Sequence, residues 1–362
     1  MIKLFKRKKS LKSDSIEAEH LFFKLLKNRV AQIILAFLLI IIFAPFLLFL
    51  YLRPTPQHNI NYGITFSNKY SEQLGLDWKG TYIKILDDLG VDNLRLIAYW
   101  DDIEATKNVY NFSDIKWQLD EAQKRNIPVI MTIGRKVPRY PECFEPAWWK
   151  EITSEDIRKA ELFEYLKMTV SELKGYSVID KWQVENEPFF PFGDCKFKIE
   201  YNTVKQEIEL VRKLDTRPIV VQDSGEGGYW RPSFTLGDYL AISMYRKIWY
   251  DFWGALAGNF IYFQYPLAHW TYKIKADLTG VPYQRIIVTE LQGEPWGPTI
   301  NSELAQTEKD KTMSRNDFLA TLSYAQQSGF KDLYVWGAEW WLWEKEVNNN
   351  SFFWNTAKAL FN

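Results

Sequence analysis

From about residue 60 onward, short apolar runs alternate with amphipathic stretches. The apolar runs predicted as strands are YGITFS (62–67), NLRLIAYW (93–100), IPVIMTIG (127–134), IDKWQVENEP (179–188), RPIVVQD (217–223), DYLAISMY (238–245), RIIVTELQ (285–292) and DLYVWGAEW (332–340). Between them lie helical patterns such as FSDIKWQLDEAQKRN and SEDIRKAELFEYLKMTVSELKG. Strands that alternate with helices are typical of βαβ units. The series predicts an α/β fold, a (β/α)8 TIM barrel over residues 60–362, with an open doubly wound sheet as the alternative.

A long uncharged run precedes this alternation. It extends from Val30 to Leu52, and a bilayer core needs about 20 apolar residues as a helix. A basic tail (1–29) comes before it and a linker (53–59) follows, without the small-residue site of a cleaved signal peptide. Because basic residues favour the cytoplasmic side, we expect a single-pass transmembrane helix in the cell membrane with residues 60–362 outside the cytoplasm. A buried core helix is the alternative.

Composition narrows the function. The 45 basic and 45 acidic residues give a formal charge of zero, which argues against a nucleic-acid binder. Three His and two Cys are too few for a zinc cluster or a disulfide-dense scaffold. Neither a dinucleotide motif nor a P-loop is present, so no cofactor is expected. The 16 Trp indicate either a large aromatic core with a membrane belt or flat platforms on which sugars stack.

Carboxylates end two of the predicted strands. The fourth run ends in Glu185-Asn186-Glu187, and the seventh ends near Glu290, with Glu294 beyond it. In a (β/α)8 barrel, chemistry lies where the strands end. Two carboxylates that face each other across the barrel are able to flank a glycosidic bond. The alternative is that Glu187 and Glu290 are loop charges paired with Arg or Lys.

These residues carry a family resemblance. Asn186-Glu187-Pro188 at the end of the fourth strand, with Glu290 at the end of the seventh, resembles the retaining glycoside hydrolases of clan A, especially the cellulase-like family 5 group. The resemblance covers essentially all of residues 60–362. It implies that Glu187 is the general acid and base and that Glu290 is the nucleophile.

The resemblance also implies further roles at the site. The expected substrate-binding residues are Asn186 on the sugar 2-hydroxyl, Arg95 and Tyr245 holding Glu290, Trp336 as the floor of the cleaved-sugar subsite, and Gln292 and Trp296. A structural ion pair remains the alternative for Arg95, a rim aromatic for Tyr245 and a core position for Trp336.

Two neighbouring carboxylates are rivals for the catalytic roles. Glu185 is the alternative acid, since alternate residues of a strand share a face. Glu294 is the alternative nucleophile. The histidines that family 5 enzymes place around the cleaved sugar have no counterpart among His20, His58 and His269.

The expected function is a membrane-anchored retaining glycoside hydrolase that cleaves β-glycosidic bonds of a polysaccharide or glycoconjugate. Its expected partners are a carbohydrate and the lipid bilayer, and a monomer is expected. The alternative is a catalytically inactive carbohydrate-binding or scaffold protein on the same barrel. The aromatic segment 247–270 is expected to form an extra helix on the barrel, with a lid or a membrane contact as alternatives.

The two cysteines follow neighbouring strands. Cys143 comes after the third strand and Cys195 after the fourth, so their loops should emerge side by side. Outside the cytoplasm, redox conditions allow a disulfide. We therefore expect a Cys143–Cys195 bond beside Glu187.

Overall fold

The computed structural model describes residues 28–52, 54–57, 59–193, 198–250 and 261–361. It divides into two compact units, Met1–Arg53 and Pro54–Asn362. In the first unit, helix α1 (Arg29–Leu52) has 24 residues and contains Pro45. Its described apolar side chains are exposed, for example Ile33 and Phe37. Where the structure describes the chain, no helix is found with both the length and the apolarity that crossing a membrane requires.

The second unit is built on a closed barrel of parallel strands. The order around the barrel is β1-β10-β9-β6-β5-β4-β3-β2, and every neighbouring pair is parallel. The barrel strands are β1 (Asn61–Thr65), β2 (Leu94–Ile97), β3 (Val129–Ile133), β4 (Ile179–Val184), β5 (Ile219–Asp223), β6 (Tyr239–Met244), β9 (Ile286–Gln292) and β10 (Asp332–Trp336). A separate antiparallel pair, β7 (Lys247–Tyr250) and β8 (Ile261–Gln264), lies between β6 and β9 in sequence. The predicted (β/α)8 barrel is confirmed.

Helices follow the barrel strands along the chain. They are α2 (Asn68–Gln73), α3 (Trp78–Lys84), α4 (Trp100–Ile103), α5 (Ser113–Lys124), α6 (Ala147–Lys150), α7 (Glu155–Leu173), α8 (Tyr201–Leu214), α9 (Arg231–Leu236), α10 (Thr271–Thr279), α11 (Gln306–Met313), α12 (Arg315–Ser328), α13 (Ala338–Glu346) and α14 (Phe352–Lys358). A π-helical turn (Ile85–Leu89) extends α3, and a 3₁₀ turn (Tyr283–Arg285) precedes β9.

Local sequence explains where the long helices begin and end. The side chain of Ser154 caps α7 by accepting from the backbone of Ile157. Ser314 and Asp317 form a reciprocal capping box at the start of α12. That helix ends at Gly329, whose φ of 83° is a left-handed conformation that glycine adopts without steric cost.

Several predicted strands end earlier than expected, and the fourth and the eighth differ most at their carboxyl ends. The fourth run was expected to reach residue 188, but β4 ends at Val184, and Glu185 and Glu187 have φ of 61° and 47°. The eighth was expected to reach residue 340, but Gly337 turns the chain at φ 114° and α13 begins at the next residue. A positive φ ends the extended conformation, so these residues belong to the βα loops.

Aromatic residues fill much of the core between the barrel and its helices. The largest fully buried side chains include Trp100, Trp182, Trp230, Trp340, Trp341 and Trp354. A buried aromatic side chain removes about 150–250 Å² from water, so these residues dominate the packing energy. The high Trp content is therefore explained largely by the core.

The described ends of the aromatic segment 247–270 do not form the expected extra helix, which stays a prediction for residues 251–260. Its described ends form the antiparallel pair β7 and β8, in which Ile248 lies opposite Phe263. β-Branched and aromatic side chains suit such a pleated ladder. Residues 251–260 lie outside the described part, and so does any lid or membrane contact made through them.

Candidate active site

Ser243 on β6 links Glu187, which follows β4, to Glu290 on β9. Glu290 lies on β9, in register with Ser243 on β6. The hydroxyl of Ser243 donates a hydrogen bond of 2.7 Å to Glu187 Oε1. Both glutamates are about 5% exposed. Ser243 thus stands next to one carboxylate in the sheet and bonds directly to the other.

Glu290 is surrounded by donors. Its Oε1 accepts from an Arg95 Nη atom at 3.1 Å and from Gln222 Nε2 at 2.8 Å. Its Oε2 accepts from the Tyr245 hydroxyl at 3.3 Å. These three donors fix the orientation of the Glu290 carboxylate.

Glu187 has the opposite surroundings. Burial raises the pKa of its carboxyl well above the usual range, and the charges of Glu142 and Glu290 raise it further. Lys136 and the Ser243 hydroxyl oppose this shift in the pKa but do not cancel it. The shift in the pKa favours the protonated form of Glu187, which is the form that a general acid requires.

Arg95 is the centre of a buried polar network inside the barrel. Besides Glu290, its guanidinium donates to Gln183 at 2.8 Å, to Asn186 at 2.7 Å and to Gln222 at 2.6 Å. Burial lowers the pKa of Arg95, while Glu290 opposes that change. Arg95 was expected either to hold Glu290 or to form a structural ion pair. Both descriptions apply, because the structural ion pair is made with Glu290 and orients it.

Asn186 follows β4 and faces the same network. Its side-chain oxygen accepts from Arg95, and its amide nitrogen donates to Glu142 Oε1 at 3.3 Å. An amide nitrogen carries two N–H donors, so one of them remains for a sugar hydroxyl. The contact with Glu142 was not foreseen from the sequence.

Glu142 is a third buried carboxylate of this site. It lies on the loop after β3, and its Oε2 is 3.2 Å from Lys136 Nζ. Lys136 also donates to the backbone carbonyls of Glu187 and Phe190 at 2.9 and 2.8 Å. Burial raises the pKa of Glu142 to about 7, although Lys136 opposes this. Through its bonds to the two backbone carbonyls, Lys136 holds the turn at Glu187 in place.

The alternative acid, Glu185, has its carboxylate bound to the backbone of the loop after β3. Its carboxylate accepts from the backbone N–H groups of Arg135 and Lys136 at 2.9 and 2.7 Å, and it is fully buried. The expectation that Glu185 and Glu187 share a face was wrong, because β4 has already ended and both residues have positive φ. Glu185 instead ties the loop after β3 to the end of β4.

The alternative nucleophile, Glu294, is also engaged elsewhere. It pairs with Arg139 and accepts from the indole N–H of Trp336 at 2.8 Å. Trp336 is only 6% exposed, and the Arg139 guanidinium carbon lies 4.0 Å from the centroid of its ring system. One face of the expected sugar platform is therefore covered.

Gln292 and Trp296, the remaining residues expected to bind substrate, make different contacts. Gln292 accepts from the backbone N–H groups of residues 246 and 247 at 2.8 and 3.1 Å and donates to the carbonyl of Lys247 at 2.6 Å. Its amide therefore fixes the chain leaving β6. Trp296 packs edge-on against Tyr245, with ring centroids 5.0 Å apart, and so lies beside the residue that contacts Glu290.

Cys143 is disulfide-bonded. Its expected partner, Cys195, lies outside the described residues, as do the neighbouring positions 194, 196 and 197. The Cys143–Cys195 pairing therefore stays a prediction.

Comparisons with known proteins establish the fold. No protein-family model matches the chain, and no curated protein matches it. A GH5_18 protein from Bifidobacterium longum subsp. longum, in a variant bound to Manβ1-4GlcNAc, has a TM-score of 0.53 at 12% identity, over 76% of this chain and 68% of that one.

Two further solved structures are similar. A GH5_18 protein from Streptomyces cattleya in complex with GlcNAc has a TM-score of 0.50 at 12% identity, over 78% of this chain and 70% of that one. An exo-β-1,4-mannosidase from Opitutaceae bacterium strain TAV5 has a TM-score of 0.53 at 14% identity, over 83% of this chain and 60% of that one. At such low identity the similarity shows the fold, and it confirms the barrel that the family resemblance implied.

Proposed function

We propose that the protein is a retaining glycoside hydrolase in which Glu187 is the acid and base and Glu290 is the nucleophile. The observation that carries the proposal is the contrast between the two carboxylates. Glu290 has an arginine, an amide and a phenol as donors, whereas the carboxyl of Glu187 is buried and accepts, among the described residues, from the hydroxyl of Ser243. A buried carboxyl with a raised pKa beside a carboxylate that three donors hold in place supports an acid and a nucleophile.

The mechanism uses both groups twice. Glu290 attacks the anomeric carbon while Glu187 donates its proton to the departing glycosidic oxygen, which leaves a covalent glycosyl-enzyme. Glu187, now ionised, removes a proton from water, which attacks the same carbon and releases Glu290. The hydroxyl of Ser243 stabilises the ionised Glu187 between these two steps, and Asn186 donates to the sugar 2-hydroxyl.

β-Linked mannosides, galactosides and N-acetylglucosamine-containing glycans head the list of substrates to test. The similar structures include a mannosidase, β-galactosidases and complexes with Manβ1-4GlcNAc and GlcNAc. These ligands belong to proteins with 10–14% identity to this chain, so they direct the substrate panel and do not assign the sugar.

Covalent trapping tests the assignment of the nucleophile. An activated fluoro-sugar of each type is expected to label the peptide around Glu290, as detected by mass spectrometry. Label on Glu294 would overturn the assignment. Glu187→Gln and Glu290→Gln should each lower turnover by several orders of magnitude without unfolding the protein. Glu145→Gln is the matched control, since Glu145 pairs with Arg135 on the loop after β3.

The proposal extends to the location of the enzyme. We infer that residues 30–52 anchor it in a membrane with the barrel outside the cytoplasm. The uncharged run and the basic tail before it in the sequence support this. A reporter active only outside the cytoplasm, fused after Asn362, is expected to be active. Activity of a cytoplasm-only reporter there would refute the anchor.

A further inference from the structure

Arg139, on the loop after β3, reaches across the open end of the barrel to carboxylates that follow β9 and β10. Arg139 donates to Glu294, which follows β9, and to Glu339 Oε2 at 3.0 Å, at the start of α13 after β10. Around the barrel, β3 is separated from β9 by β2, β1 and β10. The arginine therefore bridges the carboxyl ends of the strands on that side.

Aromatic rings hold the guanidinium between them. Its central carbon lies 3.7 Å from the ring centroid of Tyr70, which follows β1, and 4.0 Å from that of Trp336. A guanidinium that stacks on rings and also pairs with carboxylates uses its planar shape and its charge together. Arg139, Tyr70 and Trp336 are each 6–7% exposed.

Hydrogen bonds extend this cluster on either side. The backbone N–H of Ser67 donates to Glu339 Oε1 at 2.6 Å, and the Ser67 hydroxyl bonds to that of Tyr99, at the end of β2, at 2.7 Å. Asn301 donates to the Tyr70 hydroxyl at 2.7 Å. We call the cluster of Tyr70, Tyr99, Arg139, Glu294, Trp336 and Glu339 the end wall.

The end wall includes Trp336, the residue expected to form the floor of the cleaved-sugar subsite. Trp336 stands in register with Gln292 on β9, two residues beyond Glu290, and one face of its ring system is occupied by Arg139. A sugar chain that continued past this subsite would have to displace an arginine held by two carboxylates. Burial alone would lower the pKa of Arg139, but Glu294 and Glu339 raise it overall, so the arginine is charged at every pH of interest.

We propose that the end wall closes the glycone side of the cleft after one sugar, so that the enzyme removes single terminal residues from chain ends and does not cut internally. This rests on the proposed hydrolase function. The substrate class that follows is a non-reducing-end β-linked glycoside whose terminal sugar carries no further substituent towards the wall.

Product analysis tests the wall. The full-length protein is incubated with linear β-mannan, β-glucan and β-galactan hexasaccharides labelled at the reducing end, and early products are separated by size. Monosaccharide and a labelled pentasaccharide are expected as the first products. Labelled di- and trisaccharides at the earliest times would overturn the wall while leaving the hydrolase function intact.

Variants of the loop locate the wall. Arg139→Ala is expected to produce internal cleavage fragments and to raise the share of tetra- and trisaccharide products at least tenfold. Arg135→Ala is the matched control, because Arg135 lies on the same loop, pairs with Glu145 and stacks on Trp149. A folded Arg139→Ala protein with unchanged products would refute the inference, and Arg139→Lys provides the same test if the alanine variant does not fold.

Binding gives an answer that does not depend on turnover. The Glu290→Gln variant is titrated with a trisaccharide of the cleaved series and with the same trisaccharide extended by one sugar through its non-reducing end. If the end wall closes the cleft, the non-reducing terminal sugar of either ligand occupies the subsite at Trp336. The longer ligand then places its additional sugar on the aglycone side and none beyond Trp336. Transferred nuclear Overhauser effects report these positions. Contacts from two sugars on the glycone side of the bond would overturn it.

Discussion

The hydrogen bond from Ser243 to Glu187 controls how readily the acid ionises. At 2.7 Å, the Ser243 hydroxyl is positioned to stabilise the charged form of Glu187 and so to lower its pKa. Ser243→Ala removes this donor and adds no charge. The pKa of Glu187, already raised by burial, should therefore rise further.

The size of the effect follows from the type of bond. A hydrogen bond to a charged group contributes about 1.5–3 kcal/mol, and one pKa unit corresponds to about 1.4 kcal/mol. The alkaline limb of kcat/KM should therefore move about one to two pH units higher in Ser243→Ala. The second chemical step needs ionised Glu187, so kcat at neutral pH should fall about tenfold or more.

The assay is the pH dependence of kcat and kcat/KM on an activated aryl glycoside. Ser233→Ala is the matched control, because Ser233 is also fully buried and donates to a carboxylate, Asp223, at 3.3 Å. The control should leave the alkaline limb in place. A limb in Ser243→Ala that is unchanged or moves to lower pH would refute the reasoning that this serine stabilises ionised Glu187.

Three further predictions concern the network around the site. Tyr245→Phe removes a donor to Glu290 and should lower kcat/KM about tenfold. Tyr82→Phe is the control, because the Tyr82 hydroxyl donates to the Gln118 carbonyl, and it should not lower kcat/KM. Equal losses in both variants would contradict a role of Tyr245 at the nucleophile. Arg95→Met leaves Glu290 buried beside uncompensated acceptors and should lower the free energy of unfolding by about 3–5 kcal/mol in urea denaturation, against about 0–1 kcal/mol for Arg158→Met at the exposed pair with Glu155. Glu207 is fully buried on α8 next to Glu185, and its pKa is raised well above the usual range by burial and then by Glu185. Its protonated form therefore contributes stability that is lost as the pH rises above the pKa of this group in the unfolded chain. Glu207→Gln should therefore make the protein about 1–3 kcal/mol more stable at pH 8 with little change at pH 4, while Glu209→Gln, at an exposed position of the same helix, should show no such pH dependence.

The barrel was predictable because each strand and helix carries its own signal. The apolar runs had to be strands, since they are short and alternate with helical patterns, and all eight lie in the barrel. What the pattern did not contain was where β4 stops. Polar residues at the end of an apolar run do not reveal a positive φ, so the turn at Glu185 and Glu187 was read as strand.

The site was only partly predictable. Glu187 and Glu290 lie at strand ends, where a charge after an apolar run is conspicuous. Gln222 and Ser243 are polar residues inside predicted strands, and this pattern is a sequence signal that could have identified them as site residues. Glu142 and Arg139 lie on the irregular loop after β3, where charged residues are ordinary. Only tertiary folding brings them to the barrel mouth, so sequence spacing alone does not indicate their roles.

The pairing of buried charges accounts for the direction in which the pKa of Glu187 is shifted. Three buried carboxylates, Glu142, Glu187 and Glu290, share the site with two buried cations, Arg95 and Lys136. Arg95 pairs with Glu290 at 3.1 Å and Lys136 with Glu142 at 3.2 Å, which leaves Glu187 as the carboxylate without a cation of its own. A buried charge without a partner is costly, which agrees with the raised pKa of the Glu187 carboxyl. If Glu187 is the general acid, as proposed, the pairing of its neighbours favours that role, and Glu142 on the loop after β3 contributes by raising the pKa of Glu187.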